Sequence, residues 1–406
     1  MKELWRNKVF VLVASADLMQ QLGIWVRNMA LLFYVVEQTG NDPVVVSLLT
    51  VFEYAPIFVF SIVGGTLADR WNPKRTMIAG DALSAVSIAV ILAFVVAGWW
   101  QAVFAATAVS AVVSQFSQPS SAVMFKRHVP EELLPAATGV TQSLMALFTI
   151  VGPVLGTVIY SWAGVKSSLA LLIALFTLSA LMQLALPTYN RAPALAGGSV
   201  WKEMKAGWAY MRGQRNLMLI TFSFALIGLG AGLIQPLDVF LITERLHLDK
   251  EDLQWFYSLA GIGMLIGGAA AATLGRKANP RLVVAAGFAF LALAVAVEAL
   301  SVWTGLTASM RFLVGAAMAF LQVVLGATLI SMVEEAYIGR VNGTATPVMM
   351  AAMLIGTASS GFLMKAISLV PTYLIAAAII LLSVPVALRL RFSPPAGVEA
   401  KADSSG

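Results

Sequence analysis

Gly64-Gly65-Thr66-Leu67-Ala68-Asp69-Arg70-Trp71-Asn72-Pro73-Lys74-Arg75 is a compact loop of one acid and several bases, set between two long apolar stretches. A fainter copy, Gly275-Arg276-Lys277-Ala278-Asn279-Pro280-Arg281, follows with Asn279 lying 207 residues after Asn72. The second copy lacks the acid, because Arg276 stands where Asp69 would align. Such a loop, once per half of a chain that otherwise avoids charge, predicts a duplicated membrane protein.

Composition points to the same solvent. Of the 406 residues, 59% are hydrophobic and 11% charged, against roughly 25% charged in a soluble domain. About 20 apolar residues cross a bilayer as a helix, whose backbone groups are all satisfied within the segment. The first apolar stretch runs on from Phe10 to Val36 with no small-residue cleavage site, so it reads as a retained helix rather than a signal peptide. Cysteine is absent, and His128 and His247 are the only histidines, so no disulfide, metal centre or cofactor is expected.

Apolar periods predict an all-α membrane protein of twelve transmembrane helices, at about 10–36, 44–68, 76–98, 102–125, 136–161, 168–187, 217–241, 255–274, 282–303, 309–332, 342–365 and 371–389. An even number puts both termini on one side. Lys2, Arg6, Lys8, Lys126, Arg127, Lys202, Lys205, Arg281 and Arg389 fall on that side with the quoted loop, which the positive-inside bias makes cytoplasmic. The net charge of +6 is then topological and calls for no nucleic-acid partner. The expected domains are two pseudo-symmetric six-helix bundles, residues 1–187 and 217–392. Between them lies a cytoplasmic linker, 188–216, with a short amphipathic helix around Trp208 and Met211, and after them a disordered tail, 393–406.

The duplication has a second witness. Gly139 and Gly152 recur as Gly343 and Gly356, both 204 residues on, and each pair follows two acids, Glu131-Glu132 and Glu334-Glu335. Duplicated halves around a midplane site are a transporter architecture in which one half rocks against the other.

These features together resemble the major facilitator superfamily over essentially the whole chain. Gly65 to Arg75 is similar to that family's signature loop G-x-L-A-D-R-x-G-R-[KR], departing from it where Asn72-Pro73 replaces Gly-Arg. The resemblance implies that Gly65, Asp69, Arg70, Lys74 and Arg75 form a cytoplasmic gating loop that locks the halves together. Gly152-Pro153-Val154-Leu155-Gly156 resembles the antiporter motif G-P-x-x-G-G, with Thr157 for the last glycine, and implies an exporter; close helix packing accounts for the same small residues. Leu22 to Gly40, with Gln118-Pro119-Ser120-Ser121-Ala122 and Val129 to Glu132, is similar to the macrolide-efflux-like branch of multidrug/proton antiporters. The fourth span has Gln115 and Gln118 where many such antiporters carry an arginine.

Ionisable residues within the bilayer are functional candidates by default. Asp17, Gln20, Gln21, Ile24, Arg27, Asn28 and Leu31 share one face of the first span. Arg27 and Glu53 each lie nine residues below their spans' outer ends, at one depth, and are expected to pair, as a conformational proton switch or as a permanent ion pair. Asp17 serves either proton or cationic substrate, or only hydrogen-bonds to Gln20 or Gln21. Glu53, Asp17 and Arg27 are the proton-coupling candidates. Asp81 reads as a helix-contact residue, Asp238 as an outer gate or a solvated cap, and Glu298 and Arg311 as a structural pair.

The predicted substrate cavity is polar at Gln21, Asn28, Gln115, Gln235 and Asp238, and apolar or aromatic at Trp25, Tyr34, Tyr54, Phe58, Met145 and Phe148. Phe33, Phe116, Phe224 and Phe320 extend the aromatic set. Such a surface suits lipophilic cations. No nucleotide-binding loop, nucleophile elbow or zinc-hydrolase motif occurs, so neither ATP-driven transport nor a membrane enzyme is expected. The expected function is drug export by proton antiport in the bacterial inner membrane, by a multi-pass monomer whose partners are a small amphipathic substrate, protons and lipid. A lysophospholipid or siderophore carrier of the same fold, and a transport-inactive sensor, are the alternatives.

Overall fold

Asn72-Pro73 and Asn279-Pro280 are helix starts. Asn72 Oδ1 accepts from the Arg75 amide at 3.3 Å and Asn279 Oδ1 from the Arg281 amide at 3.1 Å, each with proline at the first helical position. An asparagine cap satisfies an orphan amide, and a proline there gives up only a donor that would go unpaired anyway. The two loop copies therefore launch equivalent helices, which explains the Asn-Pro departure from the family's loop.

The computed structural model describes residues 2–68, 71–187, 200–275, 279–334 and 337–390. Those residues are helical, with no strand among them. The first half comprises α1 (Lys2–Arg6), α2 (Lys8–Gln38), α3 (Pro43–Ala68), α4 (Pro73–Val96), α5 (Ala102–His128) and α6 (Leu134–Leu184). The second follows α7 (Val200–Gly213) with α8 (Arg215–Ile234), a 3₁₀ turn at Gln235–Leu237, α9 (Asp238–Phe240), α10 (Leu253–Leu274), α11 (Pro280–Leu300), α12 (Thr304–Met332), α13 (Ile338–Ile367), α14 (Leu369–Leu381) and α15 (Ser383–Ala387). Among the described residues ten segments are long and apolar enough to cross a membrane; the 54-residue Glu131–Leu184 is one of them, and the apolar part of α5, Ala102–Val113, is shorter. The predicted tail 393–406, the linker start 188–199 and the loop residues Asp69, Arg70, Arg276 and Glu335 lie outside the described residues.

The halves repeat each other in three dimensions. A Cβ on Gly152 of α6 would stand 2.3 Å from the Trp25 side chain of α2, and one on Gly356 of α13 would stand 2.3 Å from the Leu229 carbonyl of α8. Both partners of the second contact lie 204 residues after those of the first. The glycines let the helix pairs α2/α6 and α8/α13 cross closely. Gly164 (φ 69°) breaks α6, and Ser368 (φ 73°), again 204 residues on, separates α13 from α14. Ser168 and Thr372 then donate their hydroxyls to the Gly164 and Ser368 carbonyls, at 2.9 and 2.8 Å.

Candidate functional site

Asn7, which caps α2, also donates from Nδ2 to the His128 carbonyl at the end of α5 at 2.7 Å, marking one end of the bundle as the N-terminal face. The opposite end, with Glu37, Asp42, Lys250 and Lys365, is the far face. Between them the polar face of α2 meets two cavities. The first, about 500 Å³, lies toward the N-terminal face between α2, α5 and α6; Asp17, Gln20, Gln21, Ser121, Lys126 and Met145 are among its lining. The second, about 430 Å³, lies deeper and takes its walls from both halves: Trp25, Asn28, Glu53 and Tyr54 from one, Gln235, Tyr257 and Met264 from the other.

In the second cavity Arg27 and Glu53 pair at 3.0 Å, with side-chain exposures of 6% and 24%. Asn28 Oδ1 accepts from Nε and Nη2 of the same guanidinium at 3.1 and 2.8 Å. The pair is neutral as a unit, and Glu53 is its accessible end. Gln235 Nε2 donates to the Tyr54 hydroxyl at 2.9 Å, joining the halves across the cavity. Trp25 has its indole against Gly152 and its carbonyl 2.6 Å from where a Cβ of Gly156 would be, so the motif glycines set the position of a cavity-wall aromatic. Pro153 lies inside α6 beside them, buried.

Asp17 hydrogen-bonds to neither Gln20 nor Gln21: it accepts from Ser121 at 3.3 Å. Gln20 reaches instead to Asp81 of α4, at 2.8 and 3.1 Å to its two oxygens. Ser179 and Gln183 of α6 donate to Asp81 at 2.6 and 2.7 Å, so this acid holds three helices together through neutral donors. Close by, Lys74 caps the C-terminal end of α6 through the Leu184 and Leu186 carbonyls. A cation on those carbonyls satisfies orphan acceptors and the helix dipole, so Lys74 is engaged inside its own half. Of the other predicted gating-loop residues, Gly65 lies in α3 and Arg75 follows the Asn72 cap.

The far face is fastened across the halves. Lys250 pairs with Glu37 at 2.6 Å and Lys365 with Asp42 at 2.7 Å. Ser258 of α10 donates to the Ile150 carbonyl of α6 at 2.6 Å. Burial would raise the Asp42 carboxyl, but Lys365 and the Val44 amide, donating at 2.9 Å, hold it below its ordinary 3.8. These contacts join the two halves on the side of the deeper cavity away from the N-terminal face.

Tyr34, Phe58, Gln115, Phe148 and Asp238 line neither cavity. Tyr34 packs on the core, Phe148 is buried, and the side chains of Phe116 and Gln118 lie outside the described residues. Asp238 is buried and salt-bridged rather than a solvated cap. The tight turn at Gln235–Leu237 leaves Gln235 in the cavity wall and turns Asp238 into the second half, where Arg311 binds it at 2.5 and 3.2 Å. Arg311 also meets Glu298 at 3.1 Å, and the Tyr373 hydroxyl donates to Asp238 at 3.1 Å. Sequence reasoning passed over Tyr257 and Thr149, both in the lining of the second cavity, and the far-face ion pairs, whose charges stand at span ends and look like ordinary loop charges. Among the described residues no three His, Asp or Glu side chains gather to hold a metal.

The profile described as Major Facilitator Superfamily matches residues 13–241 and 220–406. The chain is 24% identical over 366 residues to YkuC of Bacillus subtilis, an uncharacterized MFS-type transporter, covering 86% of this chain and 84% of that one. It is 25% identical over 370 residues to macrolide efflux protein A of Streptococcus pyogenes, covering 87% and 86%. Among solved structures, a mutant of the nucleoside transporter NupG superposes with a TM-score of 0.79 at 12% identity, over 95% of this chain and 100% of that one. Human MFSD10, an organic anion transporter, superposes with a TM-score of 0.66 at 14% identity, over 94% and 99%. Two matched halves, helices repeated at one offset and a cavity between them agree: this is a multi-span membrane transporter rather than an enzyme, and it belongs to the major facilitator superfamily.

Proposed function

We propose that the protein exports lipophilic, cationic or amphipathic drugs by proton antiport with alternating access. The observation that carries this is the Arg27–Glu53 pair, set with its carboxylate exposed in the wall of a cavity that both halves line. With Glu53 ionised, the pair is neutral and the aromatic wall of Trp25, Tyr54 and Tyr257 accepts a lipophilic cation. A proton on Glu53 leaves the Arg27 charge uncompensated, and that charge repels the cation. Proton and substrate then exclude one another, as antiport requires.

Access supports the direction. The cavity holding Asp17, Gln21 and Met145 lies on the N-terminal side, while Glu37–Lys250 and Asp42–Lys365 fasten the far side. With the N-terminal face cytoplasmic, a drug enters past Asp17, moves along α2 to Glu53, and leaves when the halves rock and the far-face pairs part. Counting α6 as two spans about Gly164, and α5 as one, makes twelve in two six-helix bundles, 1–187 and 217–392, with both termini cytoplasmic and linker 188–216 carrying α7. The place of action is the bacterial inner membrane, and the working unit is a monomer. The macrolide efflux relatives put a macrolide first in the substrate panel.

The test is accumulation of a macrolide and of ethidium in everted vesicles given a proton gradient. Accumulation that an uncoupler abolishes is expected; accumulation that an uncoupler leaves unchanged overturns proton antiport.

A further inference from the structure

The acids within the spans differ in what neutralises them. Glu53 has the Arg27 guanidinium to itself on the carboxylate side. Asp81 pairs with no cation among the described residues, yet three neutral side chains donate to it, and hydrogen bonds to a carboxylate favour its charged form. In the second half, Asp238 and Glu298 divide one guanidinium. Asp238 takes both terminal nitrogens of Arg311 together with the Tyr373 hydroxyl. Glu298 keeps a single contact through Oε2, while its Oε1 and the Arg311 Nε are buried without a hydrogen-bond partner.

The cluster is dry: side-chain exposures are 3% for Glu298, 6% for Asp238 and 13% for Arg311. The groups facing it are Arg311 from α12, Asp238 from α9, Tyr373 from α14 and Tyr257 from α10. Arg245, just beyond α9, is spent on the Leu300 and Ser301 carbonyls at the end of α11, at 2.6 and 3.2 Å. Two ionised carboxylates on one guanidinium would leave a net negative charge in a core surrounded by lipid, where an uncompensated charge is costly. The better-bonded acid is the anion, and the less-bonded one carries the compensating proton.

We propose that Glu298 is a proton-binding site, a carboxylic acid held beside the Arg311–Asp238 pair in the half opposite Glu53. Tyr257 connects the site to the rest of the protein. Its ring lines the central cavity and its hydroxyl interacts with Asp238, so a polar route of Tyr257, Asp238 and Arg311 leads from the cavity to Glu298. The site stands independently of whether export is proton-driven.

Infrared spectroscopy of the full chain in lipid bilayers at neutral pH tests it. The carbonyl band of a protonated carboxyl is expected in the wild type, retained in Glu53→Gln, and lost both in Glu298→Gln and in Asp238→Asn, where Glu298 alone is left to compensate Arg311. Isotopic labelling of glutamate carboxyls in the wild type is expected to shift that band, a measurement that needs no variant to fold. A wild-type spectrum with no protonated glutamate carbonyl, or a folded Glu298→Gln protein that keeps the band, overturns the assignment. Vesicle accumulation that ignores an uncoupler, with the band present, would overturn antiport and leave the Glu298 site standing.

Discussion

Gly152 meets Trp25 in the first half as Gly356 meets Leu229 in the second, yet the two scaffolds carry different charges. The first half sets one acid against one base, with Glu53 open to the cavity. The second sets two acids against one base, all three buried and none of them in the cavity lining. A duplicated backbone thus tolerates divergent electrostatics: the pair of the first half opens on the cavity, and the cluster of the second is buried.

The largest expected effect breaks the buried side. Arg311→Met takes the one cation away from two buried acids and should cost about 3 kcal/mol or more, while Glu53→Gln, which leaves Arg27 its Asn28 acceptor and a neutral side chain facing the cavity, should cost less. Thermal unfolding in detergent or nanodiscs compares them, and equal costs would erase the distinction. The crossing glycines sharpen it next. Gly356→Ala drives a methyl into a backbone carbonyl and should destabilise by roughly 1–3 kcal/mol, whereas Gly152→Ala displaces the Trp25 side chain and should show first as weakened substrate binding, read by ligand titration.

A smaller effect uses the hinge pair. Ser368 holds a backbone conformation that suits glycine, so Ser368→Gly should stabilise by about 1 kcal/mol, and Gly164→Ser should destabilise by a similar amount. Midpoints moving the same way would show that the two breaks are not equivalent. The smallest concerns the Asp42–Lys365 fastening. Because the Asp42 carboxyl lies below its ordinary 3.8, the contact is fully present above 3.8 and is lost as pH falls through the lower value it holds in the folded protein. The chain has no cysteine, so a single cysteine placed near the far-face entrance should gain thiol reactivity in Asp42→Asn at neutral pH, by less than about tenfold for an exposed pair.

Much of this was legible in the sequence for identifiable reasons. Depth counting places Arg27 beside Glu53, because both lie on uninterrupted helices where 1.5 Å per residue holds. The same logic pairs Glu298 with Arg311 but misses Asp238, since the tight turn at Gln235–Leu237 shifts the helical phase just before it. Asp17 loses Gln20 to Asp81 because α4 approaches that side of α2, a packing relation that one helix's periodicity does not contain. Lys74 looks like a charge reaching the opposite half, yet the open carbonyls at the end of α6 lie nearer. The Asp69–Arg70 segment of the loop that reveals the duplication lies outside the described residues.

The central claim is that Glu53, paired to Arg27 in the shared cavity, couples drug movement to protons. The most direct measurement compares two modes of transport in reconstituted Glu53→Gln protein: accumulation driven by an imposed proton gradient, and exchange of labelled for unlabelled drug at equal pH. Gradient-driven accumulation should disappear while exchange persists; accumulation at the wild-type level in the variant would contradict the account.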